Sequence, residues 1–296
     1  MSASPRFSII LPTRARHGTL GRALASLWAQ TYPDFEVILV DANDPDERVR
    51  QVPALQPLLA DPRLRVIEMP VASPSGVSRN AALRVARGEW IVYQDDDDAA
   101  RPDRLARLVE RIEREPDCPL LLAGLCYHLR ERRRLVQCDR EVLTGDERWT
   151  VAFPSTLTFC HRREGAPVFP EEFRGGEDNY FYASMLACWQ PAKVPVVNVP
   201  LVDVYPQPSP HLVAKQRGLV RTWRCLLRDF RAQMPPRVRR HFVLHTVLSR
   251  YKYCRLDYGF ARYGAAYLRQ AGLRGGRYLL NILLARSEWG RRRAVS

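Results

Sequence analysis

The sequence has no C-x-x-C pair: its seven cysteines, Cys118, Cys126, Cys138, Cys160, Cys188, Cys225 and Cys254, are odd in number and scattered. That spacing excludes a structural zinc knuckle or a dithiol redox centre, and the thiols read as reduced ones of a cytosolic protein. Nor does any apolar stretch approach the ~20 residues of a membrane span. The N-terminus passes from a polar stub into Phe7-Ser-Ile-Ile-Leu11, too short a run for a signal peptide. Repeats and low-complexity tracts are also missing. The expectation is a cytoplasmic chain, with peripheral contact at the inner face of a membrane left open.

What is present is a strong asymmetry of charge. The 296 residues carry a formal net charge of +14, with 46 Lys and Arg against 32 Asp and Glu. Residues 211–296 hold twenty of those bases and three of the acids, so the tail carries +17 and residues 1–210 carry −3. A nearly neutral body joined to a cationic tail points to an anion-seeking appendage, with anionic lipid or nucleic acid as its two targets.

Along the body, short apolar runs alternate with amphipathic segments. Phe7–Leu11, Phe35–Val40, Trp90–Tyr93 and Leu120–Leu125 read as apolar, buried strands, and Leu64–Ile67 as a further strand. Between them, Leu20, Ala23, Leu24, Leu27 and Trp28 share one helical face, and Ser78–Arg87 and Arg104–Ile112 read as helices. This pattern predicts an α/β fold: a mostly parallel twisted sheet flanked by helices, with a ligand crevice at the carboxyl ends of its strands where the strand order reverses. Asp41 and the run Asp95-Asp-Asp-Asp98 should share that crevice.

The later body is less regular. It has an arginine-rich turn at Arg130–Arg134, a strand at Pro154–Cys160, a helix at Asp178–Cys188 and an extended segment at Val194–Tyr205. Prolines from Pro206 to Pro210 mark a linker. Beyond it, Leu219–Phe230, Val238–Tyr253 and Tyr258–Ala271 read as cationic amphipathic helices. The expected domains are therefore 1–210 and a basic helical extension, 211–296.

The aspartate run follows directly on a buried strand, where hard divalent cations such as Mg²⁺ or Mn²⁺ would relieve the repulsion of four like charges. A solvated acidic turn is the plainer alternative. Arg79, preceded by the turn Ser73-Pro-Ser-Gly76, suits an anionic phosphate near a helix N-terminus. Gly175-Gly-Glu-Asp178 places Glu177 and Asp178 at a helix start, where acidic capping is routine; the company of the aspartate run makes Asp178 a candidate general base. His211 follows the prolines alone, within reach of a metal or phosphate.

Five ordered stretches resemble glycosyltransferase family 2, whose members have the GT-A fold. They are Phe7-Ser-Ile-Ile-Leu-Pro-Thr13; Gln30-Thr-Tyr-Pro-Asp-Phe-Glu-Val-Ile-Leu-Val-Asp41; Arg79-Asn-Ala-Ala-Leu83 with Ala86-Arg-Gly-Glu-Trp-Ile91; the Asp95 run with Pro102-Asp-Arg-Leu105; and Gly176-Glu-Asp178. The resemblance covers roughly residues 6–205.

It implies an inverting, metal-dependent transfer of a sugar from a nucleotide-diphosphate donor to a glycan or lipid-linked acceptor, in the synthesis of a surface polysaccharide or lipid-linked glycan. Pro12, Thr13, Asp41 and Arg79 would line the donor. Asp95 and Asp97 would form the D-x-D pair, Asp97 as the metal ligand and Asp96 toward the ribose. Asp178 would be the base, with Glu177 its neighbour or an acceptor contact; His211, beyond the matching stretch, keeps a secondary or acceptor-side place on its own position.

Two departures bear on specificity. Ala42 stands where many relatives carry a second acidic residue, and the helix after Asp178 reads Asn179-Tyr-Phe-Tyr-Ala-Ser without the Trp and Arg often found there. A sugar nucleotidyltransferase would want a glycine-rich, lysine-bearing loop where this chain has Thr13-Arg-Ala-Arg-His-Gly18. A nucleic-acid binder acting through the tail would leave the acidic crevice without a purpose.

Overall fold

Phe7–Thr13 (β1) and Phe35–Asp41 (β2) are buried throughout except at Pro12, as strands covered on both faces must be. They are described in a computed structural model covering residues 4–253 apart from 131, 150–154, 174 and 208–211. β1 pairs in parallel with β2 on one side and with Trp90–Tyr93 (β4) on the other, and β2 pairs in parallel with Leu64–Glu68 (β3). Between β1 and β2, His17–Trp28 (α1) buries Leu20, Ala23, Leu24 and Leu27 at helical spacing, and Trp28 stacks on Phe35. The short helix Gln56–Leu59 (α2) precedes β3.

Ser75–Val85 (α3) starts three residues earlier than periodicity predicts. Gly76 is inside the first turn because a Cβ there would lie 3.0 Å from the Pro170 carbonyl oxygen, so the segment Ser73–Gly76 is a packed helix entry rather than a free turn. The helix stops at Val85 because Ala86 is extended and the Arg87 amide donates to Glu36. Glu36 also accepts from the Ser8 hydroxyl at 2.6 Å, and the Gly88 amide donates to that same hydroxyl at 2.8 Å. A Cβ on Gly88 would sit 2.3 Å from the Ser8 nitrogen.

After the two-residue strand Ala99–Ala100 (β5) comes Arg104–Arg114 (α4), then Leu120–His128 (β6), Arg133–Val136 (β7), Val142–Thr144 (β8), Phe159–Arg162 (β9), Glu177–Trp189 (α5) and Lys193–Val204 (β10). The sheet order is β3-β2-β1-β4-β9-β6-β10-β5, with β7 on β6 and β8 on β10. Parallel pairing holds through β3-β2-β1-β4 and for β6-β10, while β9 runs antiparallel between β4 and β6. The strand expected at Pro154–Cys160 is a 3-10 turn, Thr156–Thr158, leading into β9.

The main apolar core lies along β1, β2 and β4, with Phe7, Ile9, Leu11, Val37, Leu39, Trp90 and Val92 against α1 and α4. The chain divides into two units, Met1–Phe173 with Glu177–Ser209, and Arg174–Gly176 with Pro210 onward. The second unit contains Leu212–Asp229 (α6) and Pro236–Tyr253 (α7), joined by Trp223 against Phe242 at 5.2 Å. The helix expected at Tyr258–Ala271 lies outside the described residues, as does His211. No helix among the described residues is long and apolar enough to cross a membrane.

Candidate active site

β1 leads through β2 to β3 on one side of the sheet, and β4 lies on its other side, so the order reverses between β1 and β4. A crevice at the carboxyl ends of strands forms at such a point. Thr13 closes β1 opposite Asp41 of β2, and Asp95 comes two residues after β4 ends. The Thr13 hydroxyl donates to Asp96 at 2.8 Å, which ties the end of β1, beside Asp41, to the aspartate run. Pro12 lies one residue back, opposite Val40.

The run is not a solvated turn, because each aspartate has its own partners. Asp96, 6% exposed, takes the Thr13 hydroxyl, the Arg14 amide at 3.3 Å and the Arg16 guanidinium at 3.2 Å. Arg16 also pairs with Asp97, and Arg22 donates to the Asp97 carbonyl. Asp95 accepts from Arg79 at 3.0 Å, and the buried Asp98 accepts the Tyr205 amide at 2.8 Å. The loop that supplies Arg14 and Arg16 is strained: Ala15 has φ 53°, held by its amide donating to Asn43.

Burial is the first cause of raised carboxyl pKa values here. It pushes Asp96 up to about 6, against the Thr13 hydrogen bond and the Arg16 charge. Burial, with Asp95 repulsion next, pushes Asp98 up to about 7, and burial raises Asp97 against the pull of the Arg16 charge. Carboxylate oxygens are the donors a hard divalent cation takes, and by that chemistry the partly exposed Asp95 and the more buried Asp97 are the residues that would hold one.

Arg79 lies within the second turn of α3, its side chain 7% exposed. One end of its guanidinium is on Asp95, and the other is 3.8 Å from Glu177, which also accepts the Ser75 hydroxyl at 2.8 Å. The next residue anchors the other side of the crevice: Asn80 donates to the Phe169 carbonyl at 3.0 Å and accepts the Phe169 amide at 2.8 Å. Phe169 stacks on Phe181 of α5 at 3.8 Å, so α3 sets where α5 begins. Asp178, beside Glu177, keeps partial solvent access at its edge while its carboxyl is enclosed by protein. That enclosure, then the Glu177 charge, raises its pKa to about 7 against the pull of Arg79.

Asp41 differs from the other predicted donor contacts. It is fully buried and accepts the Asn43 amide, the Asn43 side chain at 2.8 Å and the Val49 amide at 2.8 Å, with Arg48 at 3.5 Å. Its oxygens are spent on the loop 43–49, so its visible work is to hold that loop at the crevice edge.

Several residues at the site were not predicted. Tyr205 lies between His128, stacked at 4.7 Å, and the Arg22 guanidinium, 4.0 Å from its ring centre. His128 donates to Asp203 at 2.8 Å, and Arg101 donates to the same carboxylate at 3.0 and 3.3 Å. Cys126, His128 and Asp203 bring a thiol, an imidazole and a carboxylate within 4.8 Å, yet Asp203 gives both oxygens to Arg101 and His128, which suits a brace better than a metal site. A pairing of Arg16 with the aspartate run was foreshadowed only by basic residues in the loop after β1. For Tyr205 the signal was an aromatic residue directly after a buried strand.

Solved structures with this fold include Staphylococcus aureus TarS residues 1–349 in complex with UDP-GlcNAc, at a TM-score of 0.65 and 18% identity, covering 91% of this chain and 82% of that one. Another is the mannosyltransferase PcManGT of Pyrobaculum calidifontis in complex with GDP-Man and Mn²⁺, at 0.60 and 18%, covering 99% and 83%. The fold is therefore that of the GT-A glycosyltransferases.

Succinoglycan biosynthesis protein ExoO of Rhizobium meliloti (strain 1021) is 31% identical over 189 residues, 57% of this chain and 52% of that protein. The GalNAc(5)-diNAcBac-PP-undecaprenol beta-1,3-glucosyltransferase of Campylobacter jejuni is 31% identical over 109 residues, 36% of this chain and 34% of that protein. The chain thus spans about half the length of the first and a third of the second. The sequence profile of glycosyl transferase family 2 matches residues 8–161, the stretch that carries β1, β2, α3, β4 and the aspartate run, and the chain belongs to that family.

Proposed function

We propose that the chain moves a sugar from a nucleotide-diphosphate donor to an acceptor hydroxyl, with inversion at the anomeric carbon and with Mg²⁺ or Mn²⁺ as cofactor. The observation that carries this reading is the span of Arg79 between Asp95 on one side of the crevice and Glu177, beside Asp178, on the other. A leaving diphosphate needs positive charge and an attacking hydroxyl needs a base, and the two requirements fall on opposite sides of one guanidinium.

In this reading Thr13, the loop held by Asp41, and Asp96 border the nucleotide, while Arg79 faces the phosphates. A divalent cation held by Asp95 and Asp97 supplies Lewis-acid charge beside the diphosphate. Asp178 accepts the proton of the acceptor hydroxyl as its oxygen bonds to the anomeric carbon from the face opposite the leaving group. The bond from that carbon to the phosphate oxygen breaks, and its electron pair leaves with the nucleoside diphosphate. A carboxyl with a pKa of about 7 is matched to that task near neutral pH.

Glycan or lipid-linked acceptors, in the synthesis of surface polysaccharide, fit the relatives' chemistry, and the +17 charge of residues 211–296 suits an anionic membrane better than nucleic acid. His211 is assigned a secondary place near the acceptor or phosphate on sequence position alone. The test is a panel of nucleotide sugars incubated with Mn²⁺ or EDTA beside Asp97→Ala, read as nucleoside diphosphate released and, by calorimetry, as donor bound. Metal-dependent release that the substitution abolishes is the expected result; binding of no nucleotide sugar at all would sink the proposal.

A further inference from the structure

We propose that the hairpin joining β6 to β7 is a docking surface for a lipid bilayer rich in anionic headgroups. In this hairpin Leu129, Arg130, Arg132, Arg133, Arg134 and Leu135 are all exposed. Cys126 pairs with Leu135, Tyr127 with Arg134 and His128 with Arg133, and the Leu129 amide donates to the Arg132 carbonyl to close the turn. Among the described residues none of the four arginines forms an ion pair. Glu131, which offsets one of their charges, lies outside the described residues.

A plainer account is that β7, which among the described residues pairs only with β6, is an edge strand blunted by charge against unwanted pairing. That explains arginines but not leucines. Leu129 is 36% exposed and Leu135 57%, and they are two of the five large hydrophobic side chains exposed among the described residues. Apolar side chains flanking a cluster of bases match the interface of an anionic bilayer, which takes both in one contact. Nucleic acid fits less well, because the hairpin presents no exposed aromatic ring for bases to stack on.

Position adds a functional argument. β9 is antiparallel to both β4 and β6, so β4 and β6 point the same way, and the hairpin leaves the sheet from the edge where β4 delivers the aspartate run. A bilayer at the hairpin therefore lies on the crevice side of the sheet, where a lipid-linked acceptor would be presented. That consequence rests on the proposed glycosyl transfer; the docking itself does not.

The experiment is flotation of the full chain with vesicles of phosphatidylcholine alone or mixed with phosphatidylglycerol. The variants are Arg132→Gln/Arg133→Gln/Arg134→Gln, the same three positions to Lys, and Leu129→Ser/Leu135→Ser. The glutamine variant should partition into the anionic vesicles about a hundredfold less than the parent, since each base near such a surface contributes roughly a fivefold factor. The lysine variant should stay close to the parent, and the serine variant should fall between.

Partition of the glutamine variant within about twofold of the parent overturns the proposal, because the tail alone would then account for binding. So does a loss of RNA retention with vesicle binding intact, which would assign the surface to nucleic acid. Matching thermal midpoints guard against misfolding. Nucleoside diphosphate release in solution, unchanged in all variants, keeps this test separate from that of the proposed activity.

Discussion

At the scale of single residues, the site is a set of carboxyls whose protonation is set by burial. Asp178→Asn should lower kcat by roughly 10²–10⁴-fold with donor binding intact, the range of a lost general base. In the parent, turnover should fall as pH drops through about 7, because the base works only when ionised. A steady-state pH profile, with donor affinity measured in parallel, checks both; an unshifted profile with full activity in the variant would remove Asp178 from that role.

His161 makes a separate prediction about stability. It is fully buried, its Nδ1–H donates to the Arg162 carbonyl and its Nε2 accepts the Tyr93 hydroxyl at 2.8 Å, and burial pushes its pKa down to about 4. Between the unfolded value near 6.5 and about 4, the unfolded chain binds a proton that the folded one refuses. Stability from this group is therefore full above 6.5, falls with pH across that window by roughly 3 kcal/mol, and is level below it. Asp96, Asp98 and Asp178, with raised values, act in the opposite sense, so the contribution shows only by difference. His161→Gln, which keeps an acceptor for Tyr93, should fall less in stability than the parent as pH drops from 6.5 to 4, read from denaturation midpoints across that range.

At the scale of elements, the positions that made the family legible are mostly those that fix one element to another. Gln30 receives the Leu105 amide and donates to the Arg101 carbonyl, tying α1 to the start of α4. Arg104 is enclosed, bonding Gln94, the Tyr93 carbonyl and the Leu157 carbonyl, and so fixes the strand end from which the aspartates hang. Asn80 ties α3 to the segment before α5. A recurring motif reveals that a residue is needed but not whether for shape or chemistry, and only coordinates separate Asn80 from Arg79.

The brace around Tyr205 was legible only as an aromatic residue after a buried strand, because its other parts come from α1 and β6, far off in sequence. Tyr205→Ala should lower stability by roughly 2 kcal/mol, from the lost cation–π and ring contacts, and raise the donor KM as Arg22 loses its place over the ring. Tyr205→Phe, which keeps both faces of the ring, should match the parent. Equal behaviour of the two variants in thermal melts and donor titrations would deny the ring any part.

At the scale of the whole molecule, alternation of strand and helix was enough to predict the parallel half of the sheet, because each buried strand there is a continuous apolar run. The half after β6 was harder to read: β7 is four residues with two arginines and a leucine exposed and owes its form to pairing with β6. The charge of residues 211–296 leads to a prediction at this scale. The intact chain should float with anionic vesicles at low salt and sink as salt rises over a few hundred millimolar, since exposed charges are screened within about 8–10 Å at physiological ionic strength. Sedimentation with the protein at low salt would leave the tail without a lipid role.

The placement of Arg79 has a consequence for how the two ligands affect each other. One guanidinium shared by Asp95 and Glu177 makes the state of either carboxylate part of the other's surroundings. Anything that binds at one end and draws Arg79 toward itself alters the charge left at the other end. Linkage requires that effect to be mutual: whatever factor the first ligand imposes on the affinity of the second, the second imposes on the first. On the proposed glycosyl transfer, donor and acceptor affinities would therefore be linked through this one side chain.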